Sequence, residues 1–487
     1  MRILLVEDKP DFAATIDRAI RAVDGCDVIW KKSKASALAT LADESFDVVL
    51  LDRRIPSEDG VLDDDVNHGW DVFQSIRETL PGTSVWFLTG TEDADFSADM
   101  LNEFGRNGDI HSCGREDTVY RVFWKRRMTD CVAAARRFRA DVERTEAINL
   151  SQAGEPVNLR PEEERLLKLF GRRHGGVSVE ARPLSGGLSG ARVLRVTVRN
   201  GAGLPIVTSI AKVGAFDEIG VERSRYHGEI ARLIPGSAPQ LTGDVTLGAG
   251  GYAGIFYGVV GSEVTDLFAK LATDPDGGAV VPTQLRAAEA PWFAARENAR
   301  VRVGAIRRRL IGDVALGKFE DELEGIDIAA VESLEIEVVH CVQHGDLHCA
   351  NVLFDDRGLP MFIDYPDTGR TLACLDPIVL ELSTVFHKHA PDRHGWPSEA
   401  QAETWPDAAI YVAGAPFEAY LRACREWALA VAGSEQEVVA VGYAYAMRQL
   451  KYNDTDKEIA RAVIRGCIAR LTRDDPGSGR TGGRLDP

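Results

Sequence analysis

The sequence predicts an α/β doubly wound sheet of five parallel strands, followed by an α+β module. Three observations predict this. Over residues 1–145, short apolar runs ending on acidic residues alternate with segments of helical spacing, the pattern of a doubly wound parallel sheet. Turn and breaker residues then gather between Asn149 and Arg160. Beyond them, strand-like runs around a glycine-rich turn give way to mostly helical sequence. That sequence is interrupted by the loop His344-Gly345-Asp346-Leu347-His348-Cys349-Ala350-Asn351.

In the first module, Arg2 to Val6 is an apolar run bounded by Glu7-Asp8, which reads as a buried parallel strand. Asp11 to Val23 sets Phe12, Ile16, Ala19, Ile20 and Val23 on one helical face. Val28 to Trp30 is a second strand, Ser36 starts another helix, and Phe46 to Leu51 is a third strand ending on Asp52. Val85 to Gly90 is the fourth strand and carries Thr89 to the same end. In such sheets function gathers at the carboxyl ends of the strands. Glu7, Asp8 and Asp52 therefore crowd into one pocket, and three like charges there imply a bound cation. Thr118 to Trp124 has strand composition, and Lys125 and a basic helix from Met128 to about Arg144 follow it.

Ile3 to Pro10 and Leu51-Asp52-Arg53-Arg54-Ile55-Pro56 resemble the first-strand and phosphoacceptor motifs of response-regulator receiver domains. The resemblance implies that Asp52 takes a phosphoryl group, with Mg²⁺ on Glu7, Asp8 and Asp52. It implies that Thr89 moves to bond the new phosphate, and that a lysine pairs with the phosphoryl group. Asp93 to Glu116 contains no lysine, so Lys125 is the candidate. The loop from Ser57 to His68 is longer and more acidic than the usual one, and reads as solvated charge.

The second module opens at Pro161, where proline and three glutamates suit the first turn of a helix. Val177 to Pro183 and Arg192 to Val198 read as strands around Leu184-Ser185-Gly186-Gly187-Leu188-Ser189-Gly190-Ala191. A glycine-rich turn of this kind can lay backbone N–H groups over phosphates. Ser209 to Val213 is a strand carrying Lys212, and a helix is expected from Asp217 to Ile234. Ile255 to Gly261 reads as a further strand, and Ser262 to Leu334 as mostly helical. After the His344–Asn351 loop, a hairpin turning at Asp355-Asp356-Arg357-Gly358 returns to Ile363-Asp364. Folding it brings Asp346, Asn351 and Asp364 together, and oxygen ligands converging there suit Mg²⁺.

The pattern H-G-D-x-x-x-x-N followed by I-D resembles the aminoglycoside phosphotransferase-like branch of the protein-kinase fold. The resemblance implies a two-lobed module that binds ATP between its lobes. Asp346 would orient an acceptor hydroxyl, and Asn351 and Asp364 would hold Mg²⁺. Lys212 would hold phosphates with a helix glutamate, either Glu222 or Glu229. Ser185, Gly186, Gly187, Ser189 and Gly190 would cradle the nucleotide. His344 and Asp376 would brace the loop, although Asp376 before Pro377 also reads as a simple helix cap.

The expected domains are a receiver at 1–145, a linker at 146–160, kinase-like lobes at 161–262 and 263–474, and a disordered tail at 475–487. A formal net charge of -18 excludes a basic nucleic-acid footprint. The 8 cysteines show no zinc spacing. No signal peptide or membrane span is read, so a cytoplasmic protein is expected. The expected function is two-component signalling, in which the receiver regulates a phosphotransferase. The alternative is an inactive nucleotide-binding scaffold switched in the same way. A sensor histidine kinase or phosphotransfer protein is the expected partner. The acceptor is left open, and so is a homodimer through the fourth and fifth strand–helix units.

Overall fold

The computed structural model describes residues 1–90, 104–154, 157–184, 190–259, 265–391 and 395–473. The chain divides into two compact units: Met1–Arg223 with Gln240–Val259, and Ser224–Pro239 with Val260–Pro487.

Among the described residues, the first unit holds two large sheets and a two-stranded one, Asn107–Gly108 with Asp117–Thr118. One has five parallel strands in the order Asp27–Lys31, Arg2–Val6, Val48–Asp52, Ser84–Thr89, Tyr120–Trp124. Helices Pro10–Arg21, Lys34–Asp43, Val66–Thr79 and Met128–Glu146 belong to it. Ile3, Leu4, Leu5, Val6, Val48, Val49, Leu50 and Leu51 are all fully buried. That is why these strands read as unbroken apolar runs: helices cover both faces of a parallel sheet.

The other sheet has six strands, ordered Leu241–Val245, Tyr252–Gly258, Pro205–Ala215, Arg192–Arg199, Ser178–Pro183, Asn149–Gln152. Its last strand falls in a stretch whose composition reads as a linker. Asn149–Gln152 instead pairs in parallel with Ser178–Pro183, because a sheet edge offers unpaired backbone groups whatever the side chains. The helix expected over 217–234 is Phe216–Gly228, followed by a short 3₁₀ turn at Ile230–Arg232.

The two large sheets of this unit are stitched together by backbone. Gly82 N–H donates to Gly250 O at 2.8 Å, and Gly248 N–H donates to Gly82 O at 2.9 Å. Side chains add to the seam: Arg165 sits 2.8 Å from Asp47, and Arg172 sits 2.7 Å from Asp141. Burial pushes the Asp141 carboxyl up, but hydrogen bonds from Arg172 and Arg115 outweigh it and leave the group below its usual range.

The second unit is mainly helical, with two three-stranded sheets. One aligns Glu297–Arg302, Glu335–Gln343 and Gly369–Leu372 antiparallel. Glu297–Arg302 lies in sequence that reads as helical. Its alternating charges suit a solvated edge strand, and its partner Glu335–Gln343 supplies the apolar side. The helix Leu375–Phe386 is buried along its whole length. There Glu381 takes two hydrogen bonds from Arg425, at 2.6 and 3.0 Å, and one from the Trp405 indole at 2.8 Å. Removing either partner of such a buried pair leaves the other charge unpaired, which is strongly destabilising. Among the described residues, no helix is long and apolar enough to cross a membrane.

Candidate functional site

At the carboxyl ends of the parallel strands, Glu7, Asp8 and Asp52 offer carboxylate oxygens within 4.8 Å of one another. Lys125, one residue past the last strand, places Nζ 2.6 Å from Glu7 Oε2 and 2.6 Å from Asp52 Oδ2. Arg54 N–H reaches Asp52 Oδ1 at 3.4 Å, and Thr89 is buried at the end of its strand. Burial, and then Asp52, push the Glu7 carboxyl up to about 7, with Lys125 pulling the other way. Burial also raises Asp52. Asp8 Oδ1 is buried without a hydrogen-bond partner. The three carboxyl groups outnumber the one ammonium, and the donor set is all oxygen, so the cluster fits Mg²⁺.

The six-stranded sheet presents Lys212 opposite Ile255 and Val193. Its Nζ lies 2.7 Å from Glu222 Oε2, and the Tyr257 hydroxyl donates to Glu222 Oε1 at 2.6 Å. Glu222 is thus held from two sides. Glu229 lies in the second unit, where it pairs with Arg232 at 2.9 Å. Ser185, Gly186, Gly187 and Ser189 lie outside the described residues. Gly190 is exposed, and the next residue, Ala191, donates its N–H to Glu218 Oε1 at 3.1 Å.

In the second unit, strand Glu335–Gln343 leads into the His344–Asn351 loop. Asp376 clamps that loop: His344 N–H donates to its Oδ2 at 2.6 Å and Gly345 N–H to its Oδ1 at 2.9 Å. The helix cap here is Cys374, so the Asp376 carboxylate serves the loop rather than its own helix. The His344 ring meets Ile363 O at 2.9 Å, and Asn351 Nδ2 donates to Asp346 O at 2.9 Å. Val352 pairs with Phe362, so Asn351 and Asp364 flank the open end of one hairpin. Asp364 adopts φ 69°, rare for a residue with a side chain; such strain gathers at functional sites. The oxygens of Asn351 and Asp364 suit a hard cation such as Mg²⁺.

Two features near Asp346 had no signal in the sequence. Arg448, from helix Glu435–Gln449, places Nη2 3.2 Å from Asp346 Oδ1. Glu289, fully buried, accepts from Gln343 Nε2 at 3.2 Å, and Gln343 Oε1 in turn accepts from Asp376 N–H at 3.2 Å. Burial and the neighbouring Asp376 hold the Glu289 carboxyl well above its usual range. Each residue lies far from the loop in sequence and joins it only through the fold.

Residues 3–111 match the family model of the response regulator receiver domain. No curated protein matches the sequence. Among solved structures, a CheY-like receiver domain protein from Methanospirillum hungatei JF-1 is 16% identical. It covers 29% of this chain and 96% of its own, at a TM-score of 0.21. The receiver domain of the Francisella response regulator 1452 is 17% identical over 28% of this chain and 96% of its own, at a TM-score of 0.21. An aminoglycoside-3'-phosphotransferase of type VIII is 16% identical over 55% of this chain and 100% of its own, at a TM-score of 0.31. The family match and the five-stranded parallel sheet agree: the chain carries a response regulator receiver domain at residues 3–111, which supports a part in two-component signalling.

Proposed function

We propose that this chain is a two-component signalling protein whose receiver regulates an ATP-dependent phosphotransferase acting on a hydroxyl acceptor. The donor to the receiver is a sensor histidine kinase or a phosphotransfer protein. An Asp52 carboxylate oxygen bonds to the phosphorus of the donor's phosphohistidine. The P–N bond breaks, and the imidazole keeps its electron pair. Lys125, 2.6 Å from Asp52, supplies the positive charge that the new phosphoryl group needs. Glu7, Asp8 and Asp52 would hold Mg²⁺, which when bound offsets the negative charge gathered there.

The observation that carries the phosphotransferase reading is the clamped loop. Asp376 fixes His344 and Gly345, and Asn351 fixes the Asp346 carbonyl. Asp346 is then set to orient an acceptor hydroxyl. That oxygen bonds to the γ-phosphorus of ATP as the bond to the β,γ-bridging oxygen breaks. ADP leaves with the electron pair, and the hydroxyl proton passes to Asp346. Lys212, held by Glu222, is assigned to the phosphates that are not transferred, and Asn351 and Asp364 to Mg²⁺. Catalysis of this kind is chiefly positioning and electrostatics.

Regulation is supported by the seam inside the first unit. Strand Ser84–Thr89 ends on Thr89 and begins two residues after Gly82, whose backbone is bonded to Gly248 and Gly250. A displacement at Thr89 can therefore reach the six-stranded sheet along one rigid strand. The test is single-turnover transfer from labelled ATP, with and without a small phosphodonor that loads Asp52. Transfer that Asp346→Asn abolishes is expected. Equal signal from both proteins rejects the enzyme, and no response to the phosphodonor rejects the regulation.

A further inference from the structure

Resting on the phosphotransferase reading, we infer that the acceptor is a small hydroxylated anion: its carboxylate or phosphate is received by Arg448 while its hydroxyl faces Asp346. Arg448 Nη2 stands 3.2 Å from Asp346 Oδ1, and its side chain is only 17% exposed. A guanidinium carries five donors in one planar fork, so it can hold Asp346 along one edge and an anion along another. The other oxygen of the Asp346 carboxylate faces a group of imidazoles. His348 Nε2 lies 3.8 Å from Asp346 Oδ2, and its other ring nitrogen is buried without a hydrogen-bond partner. The His348 ring lies 4.6 Å from that of His387, which lies 5.2 Å from that of His389, with Lys388 between the latter two in sequence.

Asp346 and Asp364 both act on His348, and Asp346 also acts on His387. Both are already assigned, one to the hydroxyl and one to Mg²⁺. A cationic acceptor such as an amino sugar would have to bring its ammonium groups past the Arg448 guanidinium to reach Asp346. An anionic acceptor meets a half-buried guanidinium that is already positioned against Asp346.

The test uses the full chain with labelled ATP, Mg²⁺ and four pools of size-matched hydroxyl compounds: hydroxy acids, sugar phosphates, neutral polyols and amino sugars. Label is expected to enter one of the two anionic pools at least about tenfold faster than the other two pools, the difference that one charge-assisted hydrogen bond makes. Which anionic pool is labelled separates a carboxylate from a phosphate. In Arg448→Met, the KM for the anionic acceptor rises about tenfold while that for ATP holds, and the preference over polyols collapses. Label entering the polyol or amino-sugar pool first overturns the inference. So does an equal loss with every acceptor in Arg448→Met, which would make Arg448 only a prop for Asp346. If that variant does not fold, the pool comparison on the natural chain decides alone. Label in no pool, with ATP turnover that Asp346→Asn still abolishes, overturns the anionic acceptor and leaves the phosphotransferase standing. Loss of that turnover as well overturns both.

Discussion

Glu7 shares the Lys125 ammonium with Asp52 and has no exposed surface, and its carboxyl is pushed up to about 7 from 4.5. Without metal, the folded chain keeps a proton there that the unfolded chain gives up, so its stability falls as pH rises from 4.5 to about 7. A cation that replaces the proton binds more tightly over the same window. The rise in melting temperature on adding Mg²⁺ should be larger at pH 8 than at pH 6, and Glu7→Gln should flatten that difference. His111 gives the opposite sign. It is buried with both ring nitrogens unpartnered, and burial pushes it down to about 4 from 6.5. Between those values the unfolded chain takes a proton that the folded chain refuses, so stability falls as pH drops. His111→Phe should raise the melting temperature at pH 5 more than at pH 8; equal shifts would remove the histidine from the account. At this scale Glu7, Asp8 and Asp52 were legible because each ends a strand that the apolar pattern already marks. His111 was not, because nothing local announces burial.

Elements carry the next layer. Gly345 has φ 88°, and a Cβ there would lie 2.6 Å from the Asp367 carbonyl oxygen. Gly345→Ala therefore strains the backbone and pushes on a neighbouring main chain. The expected cost is about 2–4 kcal/mol, read as a lower denaturation midpoint together with loss of phosphoryl transfer. Leu50 is fully buried in the middle of the parallel sheet. Leu50→Ala should cost about 2–5 kcal/mol and lower the denaturation midpoint without affecting the second unit directly. Strands with two covered faces could be read from composition alone. The strand at Asn149–Gln152 could not, because its pairing comes from the exposed edge of a neighbour rather than from its own residues. The choice between Glu222 and Glu229 was closed to sequence for a related reason. Seven residues apart, they fall on one face of a continuous helix, but the helix ends at Gly228 before it reaches the second of them.

For the whole molecule, the seam at Gly82 is the place to test communication. A Cβ at Gly82 would lie 2.7 Å from Gly250 O. Gly82→Val should part the two sheets, leaving Asp52 phosphorylation intact while reducing its effect on phosphoryl transfer several-fold. An unchanged response would move the route elsewhere. The sequence by itself determined what is local: parallel strands that end in acids, a turn-rich break, and a loop and hairpin whose spacing sets Asp346, Asn351 and Asp364 close together. A hairpin folds back through its own turn, so a local stretch suffices. The tertiary structure decided every pairing between distant segments: Glu222 with Lys212, Arg448 with Asp346, Glu289 with Gln343 and Asp376, and Gly82 with Gly250. Those meetings depend on which helix packs against which sheet and in what register, and packing is settled by the summed fit of a whole core, not by any one stretch of it.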